Sequence, residues 1–169
     1  MFASVALILF PVLMVFAALA DLFTMTIPNR VSLLLVAFYF ALALYLRQPW
    51  ELVAMNASCG VAMLLITFTM FSFRWIGGGD AKLAAATALW LGWGALFEYG
   101  VIASLIGGAL TVAIMALRFS ERLPPQLLSY EFMRRLADKS GGVPYGIALA
   151  LAGLLIYPHT SVWMGLTAG

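Results

Sequence analysis

Long apolar runs, separated by short polar stretches, constrain the fold of this chain more than any other feature. Of its 169 residues, 64% are apolar and only 9% are charged, and the mean hydropathy is +1.05. About a quarter of the residues in a soluble domain are charged, so a chain of this size cannot hide its apolar surface from water. The sequence therefore predicts an all-α, polytopic membrane protein whose main solvent is the lipid bilayer.

The apolar runs predict about six transmembrane helices in one transmembrane domain that covers residues 1–169. Residues 1–20 carry no charged side chain, and we expect this run to stay as a membrane helix rather than to be removed as a signal peptide. A tight turn is predicted at Glu98-Tyr99. The six segments are residues 3–20, 28–46, 52–73, 81–97, 100–117, and 143 to beyond 157.

The distribution of basic residues predicts the orientation in the membrane. Eight of the nine Lys and Arg residues follow segments one, three and five, and only Arg47 lies on the other side. Because cytoplasmic loops are enriched in Lys and Arg, both termini are predicted to be periplasmic. This orientation puts Asp21, Asp80 and the polar loop 118–142 on the cytoplasmic side.

The loop 118–142 has apolar residues at a helical spacing. Leu128, Phe132 and Leu136 recur every four residues, which is typical of an amphipathic helix on a membrane surface. A helical connector without a specific role fits the same pattern. Three acids of this loop could attract a basic peptide or could form a solvated face: Glu121, Glu131 and Asp138.

Asp21 and Asp80 are the acids that the predicted topology brings to one edge of the bundle. Two carboxyl groups close together in a partly dry site cannot both ionise easily, so they share a proton and supply an acid and a base. The glycines Gly77 to Gly79 before Asp80 allow a sharp turn and the close approach of another chain.

Other interpretations of these residues stay open. Asp80 is also suited to cap a helix N-terminus, and Asp21 could be an interfacial anion. Lys82 could be a topology determinant that reaches the headgroups, or it could pair with an acid. The paired acids could alternatively be the proton or cation site of a small transporter, or the chain could be an inactive subunit of an assembly machine.

Composition excludes several other classes of function. A single cysteine, Cys59, cannot form a disulfide framework or a Cys-based zinc site, and His159 is the only histidine. The net charge is only +2, and no basic run is interleaved with aromatic residues, so nucleic acid is not an expected partner. No metal or organic cofactor is implied.

Three motifs resemble those of the type IV prepilin peptidases, which are aspartic proteases of the bacterial inner membrane. The run from Gly77 to Leu83 resembles their Gly-x-Gly-Asp-x-Lys-Leu motif. Asp21, followed by Ile27-Pro28-Asn29, looks like the segment of their first catalytic aspartate. The stretch Gly142-Val143-Pro144-Tyr145-Gly146 is similar to their late Pro-Tyr-Gly motif.

The resemblance implies that Asp21 and Asp80 are the catalytic pair and that the enzyme cuts the leader peptide of a prepilin or pseudopilin at the cytoplasmic face. The short link between segments one and two is similar to that of the peptidase-only branch, which serves tight-adherence (Flp-type) pili. Residues 22–26 depart from the pattern, because relatives are often basic there. The matching positions expected to shape the site are Gly77, Gly78, Gly79, Lys82, Pro28, Asn29, Pro144, Tyr145 and Gly146.

Overall fold

A computed structural model of the chain describes residues 2–120 and 129–167. Within these ranges the fold is all-helical, as the sequence predicts, and it contains no strand. A 3₁₀ turn, Tyr157–His159, separates the last two helices. The helices are α1 Phe2–Thr24, α2 Asn29–Tyr45, α3 Trp50–Ser72, α4 Gly78–Leu91, α5 Trp93–Phe119, α6 Glu131–Ala137, α7 Gly146–Ile156 and α8 Ser161–Thr167.

Three of the described helices are long and apolar enough to cross a membrane. Their candidate spans are Leu7–Thr24, Trp50–Ser72 and Trp93–Phe119. Two shorter apolar segments, Asn29–Tyr45 and Gly146–His159, accompany them. Most residues of the three long spans point away from the protein interior, which is expected of helices that face lipid.

Helix α4 is the central helix of the bundle. Ala81 and all residues from Leu83 to Leu91 are buried, and α4 contacts α2, α3, α5 and α7. Its many alanines let the neighbouring helices come close. At 14 residues it is about 21 Å long, which is shorter than the roughly 30 Å of a hydrocarbon core.

The boundary between the fourth and fifth segments differs from the prediction. The turn predicted at Glu98-Tyr99 is wrong, since both residues lie inside α5, which begins at Trp93. The chain turns instead at Gly92, where φ is 70° and a Cβ atom would lie 2.6 Å from Asn56 Oδ1. Only glycine fits this conformation without strain, and the chain therefore reverses six residues earlier than the polar residues suggested.

The sixth segment is also interrupted. It was predicted to run from residue 143 to beyond 157, but α7 begins at Gly146 and gives way to the 3₁₀ turn at Tyr157. Pro158 lies at the start of this turn, where its missing N–H costs no helical hydrogen bond.

Helix α6 carries part of the predicted amphipathic pattern. Leu136 is buried, and the ring of Phe132 contacts Phe23 of α1 with centroids 5.5 Å apart. The apolar face of this short helix thus packs against the protein. Leu128 lies outside the described residues, as do the other positions from 121 to 128.

Candidate active site

Asp21 lies in the last turn of α1 and is buried, with 5% of its surface exposed. Its Oδ2 atom accepts a hydrogen bond of 2.7 Å from the backbone N–H of Gly146, the first residue of α7. The first N–H groups of a helix have no partner within the helix and carry a partial positive charge. The N-terminus of α7 therefore holds this carboxyl group from the opposite end of the sequence.

Asp80 lies at the start of α4, as the third residue after the N-cap Gly77. Its carboxyl group faces the backbone N–H of Gly77, as an acid at this position does in a capping box. Asp80 is therefore not the N-cap that the sequence suggested, because Gly77 holds that position and Asp80 reaches back to it from the first turn. Asp80 Oδ1, however, is buried and has no hydrogen-bond partner among the described residues, and the contact with Gly77 does not explain that.

The two carboxyl groups interact electrostatically. Asp80 lies outside the candidate membrane spans, and burial together with the neighbouring Asp21 raises the pKa of Asp80 to about 7. Contact with the N–H of Gly77 acts in the opposite direction. Acids coupled in this way hold one proton between them over a range of pH, and they titrate as a pair.

Ile27 fills the space between the two helix N-termini. A Cβ atom added to Gly79 would lie 3.1 Å from Ile27 Cβ, and one added to Gly146 would lie 2.6 Å from Ile27 Cδ1. The Cβ atom added to Gly146 would also lie 2.8 Å from Asp21 Oδ2. The glycines thus allow a close approach, and the chain that approaches Gly79 belongs to the protein itself.

Lys82 and Asn29 join the two motif segments on another side of α4. Lys82 Nζ donates a hydrogen bond of 2.8 Å to Asn29 Oδ1, at the first residue of α2. The partner of the lysine is an amide oxygen, whereas the sequence suggested an acid or a headgroup. Pro28 is the N-cap of α2 and has an extended backbone, which directs the chain from Ile27 into the helix.

The late motif positions Gly146. Pro144 is buried, and Tyr145 is the N-cap of α7. The hydroxyl of Tyr145 donates a hydrogen bond of 3.3 Å to the carbonyl of Ala103, and its ring covers Gly107, where a side chain would overlap it. Contacts with α5 therefore fix the residue before Gly146.

Arg118 is a structural residue of the site that sequence reasoning missed, because it counted only as a topology signal. Its Nε donates to the carbonyl of Leu136 at 2.9 Å, and its Nη2 donates to the carbonyl of Gly142 at 2.7 Å. One side chain thereby ties the end of α5 to α6 and to the loop that leads to Gly146.

The described loop acids have partners close by in the chain. Glu131 forms an ion pair with Arg135, which also donates to the carbonyl of Phe23. Asp138 accepts hydrogen bonds from the backbone N–H and the hydroxyl of Ser140, which lower the pKa of Asp138. Both acids are exposed, and Glu121 lies outside the described residues. No three His, Cys, Asp or Glu side chains in the described part of the chain come together as a metal site requires.

The fold and the candidate site together define an all-helical membrane protein with two neighbouring acids at the ends of its helices. The sequence pattern of the type IV leader peptidase family matches residues 8–112, which include both aspartates and most of the chain. The chain belongs to this family and is a peptidase of the type IV leader peptidase kind. Neither a curated protein nor a solved structure matches it.

Proposed function

We propose that this protein is an aspartic endopeptidase in which Asp21 and Asp80 form the catalytic pair. The observation that carries the proposal is the electrostatic contact of two largely buried acids, one of which has an unpartnered carboxyl oxygen. Both acids lie within the part of the chain that matches the family. A purely structural role would not require two acids to share one desolvated site.

The chemistry follows from one proton shared by the pair. The ionised carboxyl takes a proton from a water molecule, whose oxygen attacks the scissile carbonyl carbon, while the protonated carboxyl donates its proton to the carbonyl oxygen. Collapse of the tetrahedral intermediate breaks the C–N bond. The amine that leaves takes the proton that the base accepted from water. A hydroxyl of the intermediate returns a proton to the carboxyl that acted as the acid as the new carboxyl group forms, so the pair returns to its starting state. The members are not assigned fixed roles, because they titrate together.

The substrate we propose is a prepilin or pseudopilin of the Flp type, cut at the cytoplasmic face of the bacterial inner membrane. Membership of the family supports a leader peptide as the substrate class. The few residues between α1 and α2, together with the single cysteine, support the peptidase-only branch.

The topology that accompanies this function is one domain with six crossings and both termini in the periplasm. The excess of Lys and Arg on one side supports this orientation. It brings the N-termini of α4 and α7, with the two acids, to the cytoplasmic side. A transporter is disfavoured, because paired acids of that type are expected near the middle of the bilayer, whereas Asp21 lies in the last turn of its helix and Asp80 in the first turn of α4.

Coexpression with a Flp-type prepilin tests this function. The host should lack its own prepilin peptidase, and mass spectrometry of the pilin then gives the mature N-terminus. We expect a single new N-terminus at the boundary between the leader and the apolar segment, and only when this chain is present. If prepilins of the Flp class and of the larger type IV classes all stay uncut, the proposed function is wrong. If only the larger classes are cut, the Flp assignment is wrong.

A further inference from the structure

A lateral cleft of about 450 Å³ opens between α2 and α3, and α4 forms its floor. Helices α2 and α3 both pack against α4 and flank it on two sides. The walls carry large apolar side chains that are exposed at the protein surface, such as Leu33 with 67% and Val61 with 57% of its surface accessible. The cleft is lined by Asn29, Ser32, Leu33, Val36, Phe40, Ala57, Gly60, Val61, Leu64, Lys82, Ala85, Ala86 and Leu89.

The polar end of this cleft adjoins the candidate active site. Its polar lining residues are Asn29, Ser32 and Lys82, and Asn29 and Lys82 form their hydrogen bond where α2 and α4 begin. Lys82 follows Asp80 by two residues, and Asn29 follows Ile27, the residue packed against Gly79, by two residues. Neither aspartate lines the cleft itself, and the connection between the cleft and the acids is made by the backbone next to Lys82 and Asn29.

We propose that the cleft holds the apolar transmembrane segment of the substrate as a helix beside α4, with its cytoplasmic end at Lys82. This inference rests on the proposed function. An enzyme that cuts next to an apolar segment must hold that segment within the bilayer. The small residues Ala57, Ala85 and Ala86 let one face of a helix approach closely, as small residues do in membrane bundles.

The polar end of the cleft also suits the passage of the substrate backbone to the two acids. Successive helix residues are about 100° apart, so Lys82 and Asp80 face roughly opposite sides of α4. The substrate must therefore unwind and cross the N-terminus of α4 over Gly77 to Gly79. Unwound backbone groups need hydrogen-bond partners in apolar surroundings, and the ammonium of Lys82 and the amide of Asn29 supply them at the crossing.

A phospholipid acyl chain is the alternative occupant, since it fits apolar walls equally well. Continuity with the acids favours the substrate. A lipid would gain nothing from a cleft floor formed by the helix that carries Asp80, whereas a substrate held there needs only to cross the N-terminus of that helix to reach the acid. The experiment below distinguishes the two.

Site-specific photocrosslinking tests the occupant. A photoreactive amino acid replaces Leu33 or Val61 in the cleft, in an Asp80→Asn background that retains bound prepilin. The matched controls replace Leu105 or Val112 of α5, which are apolar and similarly exposed, at 69% and 67%. We expect prepilin adducts from the cleft positions and none from the controls. Equal adducts from both sets, or lipid adducts alone from the cleft, would overturn the proposal.

Enzyme kinetics with a variant that fills the cleft test the same proposal without a crosslinker. Ala57→Phe fills the cleft, and we expect it to raise KM for the full prepilin by about tenfold through loss of apolar contact. Ala116→Phe, on the exposed surface of α5, is the control and should leave KM unchanged. An unchanged KM in a folded Ala57→Phe enzyme would overturn the proposal.

The crosslinking result is independent of catalysis, so the two proposals fail separately. Prepilin adducts from the cleft, without cleavage by the native chain, would keep the cleft assignment and contradict the proposed function. Cleavage by the native chain, without adducts from the cleft, would keep the function and overturn the cleft assignment.

Discussion

At the scale of single residues, one backbone N–H holds one acid of the candidate pair. The sequence predicts that Asp21 and Asp80 share an edge of the bundle, because each lies at the predicted cytoplasmic end of an apolar segment. It did not predict the hydrogen bond from Gly146 to Asp21 or the bond from Lys82 to Asn29. These contacts join distant segments, and their geometry depends on helix packing that no local pattern encodes.

Replacing Gly146 with alanine tests this contact. The new Cβ atom would lie 2.8 Å from Asp21 Oδ2, so the carboxyl group must move and the hydrogen bond is lost. We expect kcat to fall by about 10- to 100-fold, since hydrogen bonds to charged groups are worth about 1.5–3 kcal/mol. Gly142→Ala, where a Cβ atom meets nothing within 4 Å, is the control for the same loop. Equal rates in the two variants would contradict the role of Gly146.

The shared proton predicts how activity depends on pH. The raised pKa of Asp80, about 7, means that the group holds its proton below this pH and loses it above. Once both acids are ionised, no general acid remains. We therefore expect kcat to fall as the pH rises through about 7, in an assay with purified enzyme in lipid vesicles. Full activity at pH 9 would contradict a proton shared at this position.

At the scale of helices, the start of α4 defines the site and its end sets the packing of the bundle. The sequence predicted an all-helical chain, but only three described helices are long and apolar enough to span a membrane, and α4 begins at Gly78, inside the glycine run that was expected to form a loop. It misplaced the turn after α4, because Glu98 and Tyr99 are polar whereas the actual turn residue, Gly92, lies among apolar neighbours. The turn depends on the backbone of Gly92, where φ is 70°, and the hydrophobicity of the sequence does not predict this conformation.

Replacing Gly92 with alanine should destabilise the protein. The substitution forces an L-residue into a strained conformation and brings its Cβ atom to within 2.6 Å of Asn56 Oδ1. Strain of this kind costs about 1–3 kcal/mol, so we expect a lower unfolding temperature in detergent. Gly94→Ala, two residues later in open space, should change the temperature little. Equal unfolding temperatures would contradict the proposed role of Gly92 at the turn.

At the scale of the whole molecule, the orientation in the membrane decides which compartment the acids face. The count of basic residues predicts it, and the helix packing does not, because the same packing is compatible with either orientation. Three described helices are long enough to span a bilayer, and the shorter α4 is surrounded by other helices.

Cysteine accessibility tests the orientation, and the single native cysteine simplifies the experiment. In a Cys59→Ala background, Gln48→Cys should react with a membrane-impermeant maleimide in cells with a permeabilised outer membrane. Ser140→Cys should react only after the inner membrane is opened. Both residues lie in connections between helices, as a labelling site requires. The opposite pattern of labelling would contradict the cytoplasmic position of the acids.

The most direct test of the central claim compares Asp21→Asn and Asp80→Asn with the native chain, with prepilin cleavage followed by mass spectrometry. Asparagine keeps the size and polarity of the side chain but cannot exchange the proton. We predict that each variant accumulates in the membrane and cleaves at least about 100-fold more slowly, whereas Asp138→Asn in the exposed loop cleaves normally. If either dyad variant cleaves at the native rate, that aspartate is only a cap or an anchor, and the catalytic pair proposed here is wrong.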